Sequence, residues 1–227
     1  MIAVISLGGS IVAPDNPDTT YLRDFARSIR SFLSEDPSHK IIMIIGGGGP
    51  ARNYQKACRE LNPQIAHEEQ DWVGIMATRL NAELVRTLFL PECSDPVVTD
   101  PSADISFSGR ILIAAGWKPG FSTDFDAVML AERFQASRII NLSNIEKVYT
   151  DDPKKNPDAK PLDTISWDDF RKMVGTVWTP GTNTPFDPIA TEKAQKLGLQ
   201  VFAADGRNIP NLEKLLRGQS FTGTTIG

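Results

Sequence analysis

Short apolar runs recur along this 227-residue chain at Ile2 to Leu7, Ile41 to Ile45, Pro96 to Thr99, Ile111 to Ala115, Arg138 to Leu142 and Gln200 to Ala203. Most are nearly continuous rather than alternating. Strands buried on both faces of a parallel sheet have this pattern, because neither face meets water. Between the runs the apolar period changes to that of a helix. Leu22, Phe25, Ala26, Ile29, Phe32 and Leu33 form one stripe. Ala77, Leu80, Leu84, Val85 and Leu88 form a second, and Ala127, Val128, Ala131 and Phe134 a third. The alternation predicts an α/β fold, a three-layer αβα sandwich around a largely parallel central sheet. Pro50 fits the first turn of a helix running to about Leu61, where no amide hydrogen is needed. The Pro-, Asp- and Lys-rich stretch from Thr150 to Leu162 reads as an ordered surface loop marking the seam between two lobes.

The glycines fall where these strands end. Gly8-Gly9-Ser10 closes the first run, Gly46 to Gly49 the second, and Gly116 with Pro119-Gly120 the one at Ile111. Ligands of open α/β sheets bind outside the carboxyl ends of the strands. Glycine there lets the backbone approach a phosphate, and a following helix N-terminus favours negative charge. One such turn is ordinary turn chemistry; three at one edge favour a phosphate-rich ligand. The P-loop pattern GxxxxGK[ST] is absent. Gly46, Gly48 and Ala51 fit GxGxxA, with Asp71 twenty residues beyond, which keeps a dinucleotide reading open. Asp71 sits in HEEQDWVGI, a polar approach to a helix, whereas a ribose-binding carboxylate of that fold ends a strand.

The net charge of -4, from 24 basic and 28 acidic residues, argues against a general nucleic-acid or anionic-membrane binder. Cys58 and Cys93 sit in no paired ligand spacing and read as two reduced thiols of a cytoplasmic protein. With only His39 and His67, no histidine metal centre is expected. The opening MIAVISLGGS reads as a first strand rather than a signal peptide, and no apolar run approaches a membrane span.

The ordered set ISLGGSIVAPDNPD, DWVGIMATRLNAELV, GFSTDFDAV, VYTDDPKKNPDAK, FDPIATEKA and the terminal GTTI spans nearly the whole chain. It resembles the amino acid kinase superfamily and, within it, the uridylate kinases of archaeal type. The resemblance implies one amino acid kinase domain, with an N-terminal acceptor-binding lobe over about 1–135 and a C-terminal ATP-binding lobe over about 136–227. It implies transfer of the ATP γ-phosphoryl group to a nucleoside monophosphate, UMP first, with Mg²⁺ on the ATP phosphates. A homo-oligomer is implied as well, since the family is typically hexameric. The fold also serves other small acids and phosphates as acceptors. A histidine in the acceptor loop would favour isopentenyl phosphate, and GGGGPARNY has none. Storage proteins that bind ATP without this reaction share the superfamily.

Residue by residue, the resemblance places Gly8, Gly9, Ser10, Gly46 and Gly47 around the two phosphate chains. It places Arg52 and Asp71 on the monophosphate substrate, with Thr78 and Asn81 as polar contacts on one helix face. Arg52 lies one helical turn inside the Gly46 loop, within reach of an anion there as a fork. Ser122 and Thr123 precede Asp124 at a helix start, where hydroxyls and amides can hold a phosphate. Asp124 faces the reacting phosphates by resemblance and reads locally as an N-cap. Asn144, Tyr149, Asp152, Pro153 and Lys154 match the region that grips the nucleoside of ATP. Asp187, ahead of Pro188, reads as an N-cap, and the resemblance adds a role in organising the site.

Two positions depart from the family. A lysine often stands two residues before the first glycine pair, where this chain has Ser6. Another often follows the glycine triad, where this chain has Gly49. Arg52, Lys118 and Lys147 read as the only basic residues of the strand-end loops. Lys118, in GWKPGFSTD, is the candidate to supply the missing cation, with an exposed turn lysine as its plain alternative. Lys147 stands where the family pattern has glycine. Trp117 and Trp178 occupy loops in which small or polar side chains are expected.

Overall fold

In the computed structural model, which describes residues 2–153, 155–175 and 184–227, β1 (Ile2–Leu7) lies mid-sheet between β2 (Lys40–Ile45) and β4 (Arg138–Ser143). Beyond β2 comes β3 (Ile111–Ala114), and beyond β4 come β8 (Gln200–Asp205), β9 (Thr224–Ile226) and β7 (Thr164–Ile165). Only the β8–β9 junction of this seven-stranded sheet is antiparallel. β5 (Val148–Tyr149) and β6 (Pro161–Leu162) form a separate antiparallel ladder. The last residues of the expected surface loop therefore belong to a strand. Lys154 and Trp178 lie outside the described residues.

Strand side chains alternate between two apolar cores, as the pleat requires. Ile5, Leu7, Ile41, Met43 and Ile45 face α2 (Thr19–Glu35), α4 (His67–Leu88) and α8 (Ile209–Leu216). Val4, Ile42, Ile44 and Leu112 face α5 (Thr123–Arg133), α6 (Trp167–Val174) and α7 (Pro188–Lys196). Two short connections complete the site edge: α1 (Gly9–Val12) after β1 and α3 (Gly48–Leu61) after β2. The three-layer α/β sandwich read from the sequence is the observed fold.

The expected α2 stripe is wholly buried, so it packs this chain's own core. Two local expectations need correction. Pro96 to Thr99 is not a strand of the sheet: it contributes one isolated parallel bridge, Val98 to Ala114. Val98 donates to Ile113 and accepts from Ala115, while Pro96 has no amide to extend the ladder. The leucine-based stripe of α4 is also offset, because Leu80 is 70% exposed. Its buried face instead runs through Asp71, Ile75, Thr78, Asn81, Ala82 and Val85. Polar residues hold that face because part of it packs against loop backbone.

Candidate active site

The two glycine loops at the ends of β1 and β2 touch backbone to backbone. A Cβ on Gly9 would lie 2.0 Å from the Gly48 nitrogen, and one on Gly46 would lie 2.4 Å from the Gly9 nitrogen. Gly48 has φ +64, the left-handed region that glycine enters without strain. Asn81 Nδ2 donates to the carbonyls of Gly46 at 2.9 Å and Gly47 at 3.1 Å. The loop that opens α3 is thus fixed from below by α4. The first amides of a helix such as α3 have no intrahelical acceptor and favour an anion.

Beside this loop lies a cavity of about 170 Å³ lined by Gly47, Ala51, Gln55, Asp71, Gly74, Ile75, Thr78, Gly116, Phe121, Ser122 and Thr123. Five of the proposed acceptor residues therefore meet in one place: Gly47, Asp71, Thr78, Ser122 and Thr123. Thr78 Oγ1 accepts the Gly116 amide at 2.8 Å and donates to the Ile75 carbonyl at 2.6 Å. Asp71 Oδ2 accepts the Gly120 amide at 3.2 Å, and burial pushes its carboxyl above the usual range. Arg52 lies outside this lining; it is exposed, and Nη2 donates to the Pro14 carbonyl at 3.2 Å. Lys118 is exposed with Nζ 3.9 Å from the centroid of the Trp117 ring, a cation–π contact, and 5.3 Å from that of Phe121, which lines the cavity. Half-buried Trp117 is therefore the platform under that lysine.

Deeper in, at the end of β1, Ser6 Oγ donates to Asp124 Oδ1 at 2.9 Å, and the Asp187 amide donates to Asp124 Oδ2 at 3.2 Å. Asp187 caps α7 by accepting the amides of Ile189 and Ala190 at 2.5 and 2.8 Å. The N-cap of α5 is Ser122, which accepts the Phe125 amide, so Asp124 is free for the network instead of capping its own helix. Burial first, and then the neighbouring Asp187 charge, push the Asp124 carboxyl up to about 7, against the pull of Ser6 and the Asp187 amide. Burial raises Asp187 as well. Behind them Asp126 on α5 is pushed up to about 8, by burial first. Ser6, Asp126 and the α4 cation Arg79, which donates to the Trp117 carbonyl at 3.0 Å, were not legible as parts of one site.

These acids fix the sign of the pH dependence of stability. Each binds its proton more tightly folded than unfolded, so stability falls as pH rises from about 4 towards 8. The unfolding temperature is expected to be several degrees higher at pH 5.5 than at pH 8.5. Thermal melts followed by circular dichroism check this, and a higher melting temperature at pH 8.5 would contradict it.

On the other side of α1, Ser10 shares a groove with Asn144, Lys147, Tyr149, Asp152 and Pro153. Asn144, Tyr149, Asp152 and Pro153 are residues that the resemblance assigns to the ATP nucleoside, and Ser10 one that it assigns to the phosphates. Lys147 is ion-paired with Asp163 there and so is not a free cation. Arg207, in the loop after β8, must be added to the basic residues of the strand ends. Its Nη2 donates to the Ser10 carbonyl at 3.0 Å, tying that loop to α1. The signal that could have found it is ADGRN, a turn directly after an apolar run.

The model of the amino acid kinase family matches residues 1–205. The chain is 33% identical over 228 residues to a uridylate kinase of Methanocorpusculum labreanum, covering 99% of this chain and 94% of that protein. It is 32% identical over 229 residues to a uridylate kinase of Pyrococcus abyssi, covering 100% and 99%. Among solved structures, the uridylate kinase of Archaeoglobus fulgidus superposes with a TM-score of 0.84 at 31% identity, covering both chains fully. On the match to the family model and these full-length similarities, the chain belongs to the amino acid kinase family.

Proposed function

We propose that this protein transfers the γ-phosphoryl group of ATP to UMP, giving UDP and ADP. The observation that carries the reading is the pair of interlocked glycine loops, with a cavity lined by Gly47 and a groove lined by Ser10 beside them. Full-length similarity to uridylate kinases supports the choice of acceptor. In this reading residues about 1–135 form the acceptor lobe and about 136–227 the ATP lobe.

A UMP phosphate oxygen attacks the γ-phosphorus in line, and the bond to the β-phosphate oxygen of ADP breaks. Such transfer depends on alignment and charge neutralisation rather than on covalent help from the protein. Gly46, Gly47, Ser122 and Thr123 hold the acceptor phosphate through amides and hydroxyls, Arg52 through its guanidinium, and Asp71 accepts from a ribose hydroxyl. Gly8, Gly9 and Ser10 receive the ATP phosphates, while Asn144, Tyr149, Asp152, Pro153 and Lys154 receive its nucleoside. Gly9 packs against the backbone of the Gly46–Gly48 loop, where a Cβ has no room, so the two phosphate loops are held against each other. Mg²⁺ would enter with the ATP phosphates and would supply charge neutralisation there, while Asp124 and Asp187 organise the site. Lys118 leaves the Trp117 ring to supply a cation at the transferred group, a role that its contact with Phe121 of the cavity lining supports.

Trp72, Met76 and Leu80 recur every fourth residue on the outer face of α4 and are exposed. That face is our candidate for the subunit contact of a homo-oligomer. No helix among the described residues is long and apolar enough to cross a membrane, and we place the enzyme in the cytoplasm. One observation favours a second reading, an ATP-binding storage or regulatory protein: Ser6 puts a hydroxyl, not a cation, beside Asp124.

ADP release from Mg-ATP with UMP, CMP, AMP, GMP or no acceptor separates the readings. A UMP-dependent rate is expected, together with a sharp loss of turnover in Lys118→Ala. ATP binding without ADP release across the whole panel would overturn the kinase reading.

A further inference from the structure

Asp126 is a carboxyl buried where the rest of the helix face is apolar. Its exposure is 1%, and its neighbours on α5 are the core residues Ala127, Val128 and Leu130. Oδ2 accepts the Trp117 amide at 3.2 Å, while Oδ1 has no hydrogen-bond partner among the described residues. The charged groups that bear on it are acidic: Asp124 on the same helix, Asp100 from the segment before β3, and Asp187 at the start of α7. The cations of the overlying turn are engaged elsewhere. Arg79 donates to the carbonyls of Gly116 and Trp117, and Lys118 sits over the Trp117 ring. Burial and like charge both disfavour the ionised form.

The turn from Gly116 to Gly120 is the wall that this carboxyl supports. Its ends are held by the acceptor cavity, through Gly116 on Thr78 and Gly120 on Asp71. Its middle is held by Asp126 through the Trp117 amide. We propose that Asp126 is a positioning residue of the acceptor pocket, holding the Gly116–Gly120 turn in place while neutral and opening it to water on ionising. The physical reason is Oδ1: a buried charged oxygen needs donors, none is in reach, and water gains access by displacing the Trp117 turn. The carboxyl is pushed up to about 8 by burial, so the opening falls in the alkaline range.

The acceptor named in the test rests on the kinase reading, whereas the turn itself does not. Amide hydrogen exchange, corrected for intrinsic rates, is compared at pH 7 and pH 9 for the native protein, Asp126→Asn and Asp126→Ala. Asparagine keeps the carbonyl that receives the Trp117 amide and cannot ionise. Protection over residues 116–120 is expected to fall about tenfold in the native protein, because the ionised fraction rises from about a tenth one pH unit below the midpoint to about nine-tenths one unit above it. It should hold between the two pH values in Asp126→Asn and be low at both in Asp126→Ala. The KM for UMP should climb with pH in the native enzyme with little change in kcat, and lose that climb in Asp126→Asn. A parallel fall of protection in native protein and Asp126→Asn would overturn the proposal, as would an unchanged native turn. Absence of UMP turnover would instead count against the kinase reading, with exchange still deciding the role of Asp126.

Discussion

Replacing Gly9 with alanine is expected to abolish phosphoryl transfer and to lower stability by about 3 kcal/mol or more, the upper range for overpacking. The added methyl would meet the Gly48 nitrogen at 2.0 Å, the Gly46 carbonyl carbon at 2.5 Å and the Gly47 carbonyl carbon at 2.6 Å. All three are backbone atoms, so no rotamer change relieves them. Relief requires the ends of β1 and β2 to part, yet these strands are paired in register from Ile2 and Lys40 to Leu7 and Ile45. A displacement on the order of 1 Å at the reacting groups can itself cost about 10² in rate. Melting curves and ADP release on the same preparation test both halves. An alanine variant with native melting temperature and turnover would show that the loops do not bear on each other as described.

Asp124→Asn is the second large effect, expected to lower kcat by roughly 10²-fold through misplacement of the groups it holds. The carboxylate accepts two hydrogen bonds, from Ser6 Oγ and from the Asp187 amide. An asparagine keeps one acceptor and turns its NH₂ towards the other donor. Facing Asp187, the NH₂ leaves that backbone amide without an acceptor, an unmet donor costing about 1–3 kcal/mol; facing Ser6, it reverses the bond, so that Oγ accepts and the hydroxyl proton is turned away. Burial and the Asp187 charge push the carboxyl up to about 7, so kcat/KM should carry an acid limb near neutrality. Protonation below that limb weakens the acceptor, and ionisation above it completes the network. The pH profile of Asp124→Asn should lack the limb. Retention of both the native rate and the native limb would remove Asp124 from the alignment of the site.

The local features were legible because they depend on near neighbours in the chain. β1 and β2 read correctly since five of six residues in each are buried, which leaves continuous apolar runs. The glycine loops gather at one edge because every parallel strand of an α/β unit delivers its carboxyl end to the same side. Where the expectation failed, a tertiary contact had replaced the local rule. Leu80 looked like core by period, yet α4 turns Thr78 and Asn81 inward to hold the backbone of Gly116, Gly46 and Gly47. Pro96 to Thr99 looked like a strand by composition, but its proline cannot sustain an edge ladder.

Periodicity, read from the sequence alone, determined the sheet and its layers, and glycine placement marked the edge proposed for a phosphate ligand. Only the tertiary structure decided which side chains meet there. Ser6 and Asp124 are 118 residues apart and become partners through the packing of α5 over β1. Asp126 is an ordinary first-turn acid by sequence, and becomes a buried support for a turn only once Trp117 covers it. Backbone conformation is set largely by each residue and its neighbours, whereas charge state is set by burial and by the charges that folding brings near.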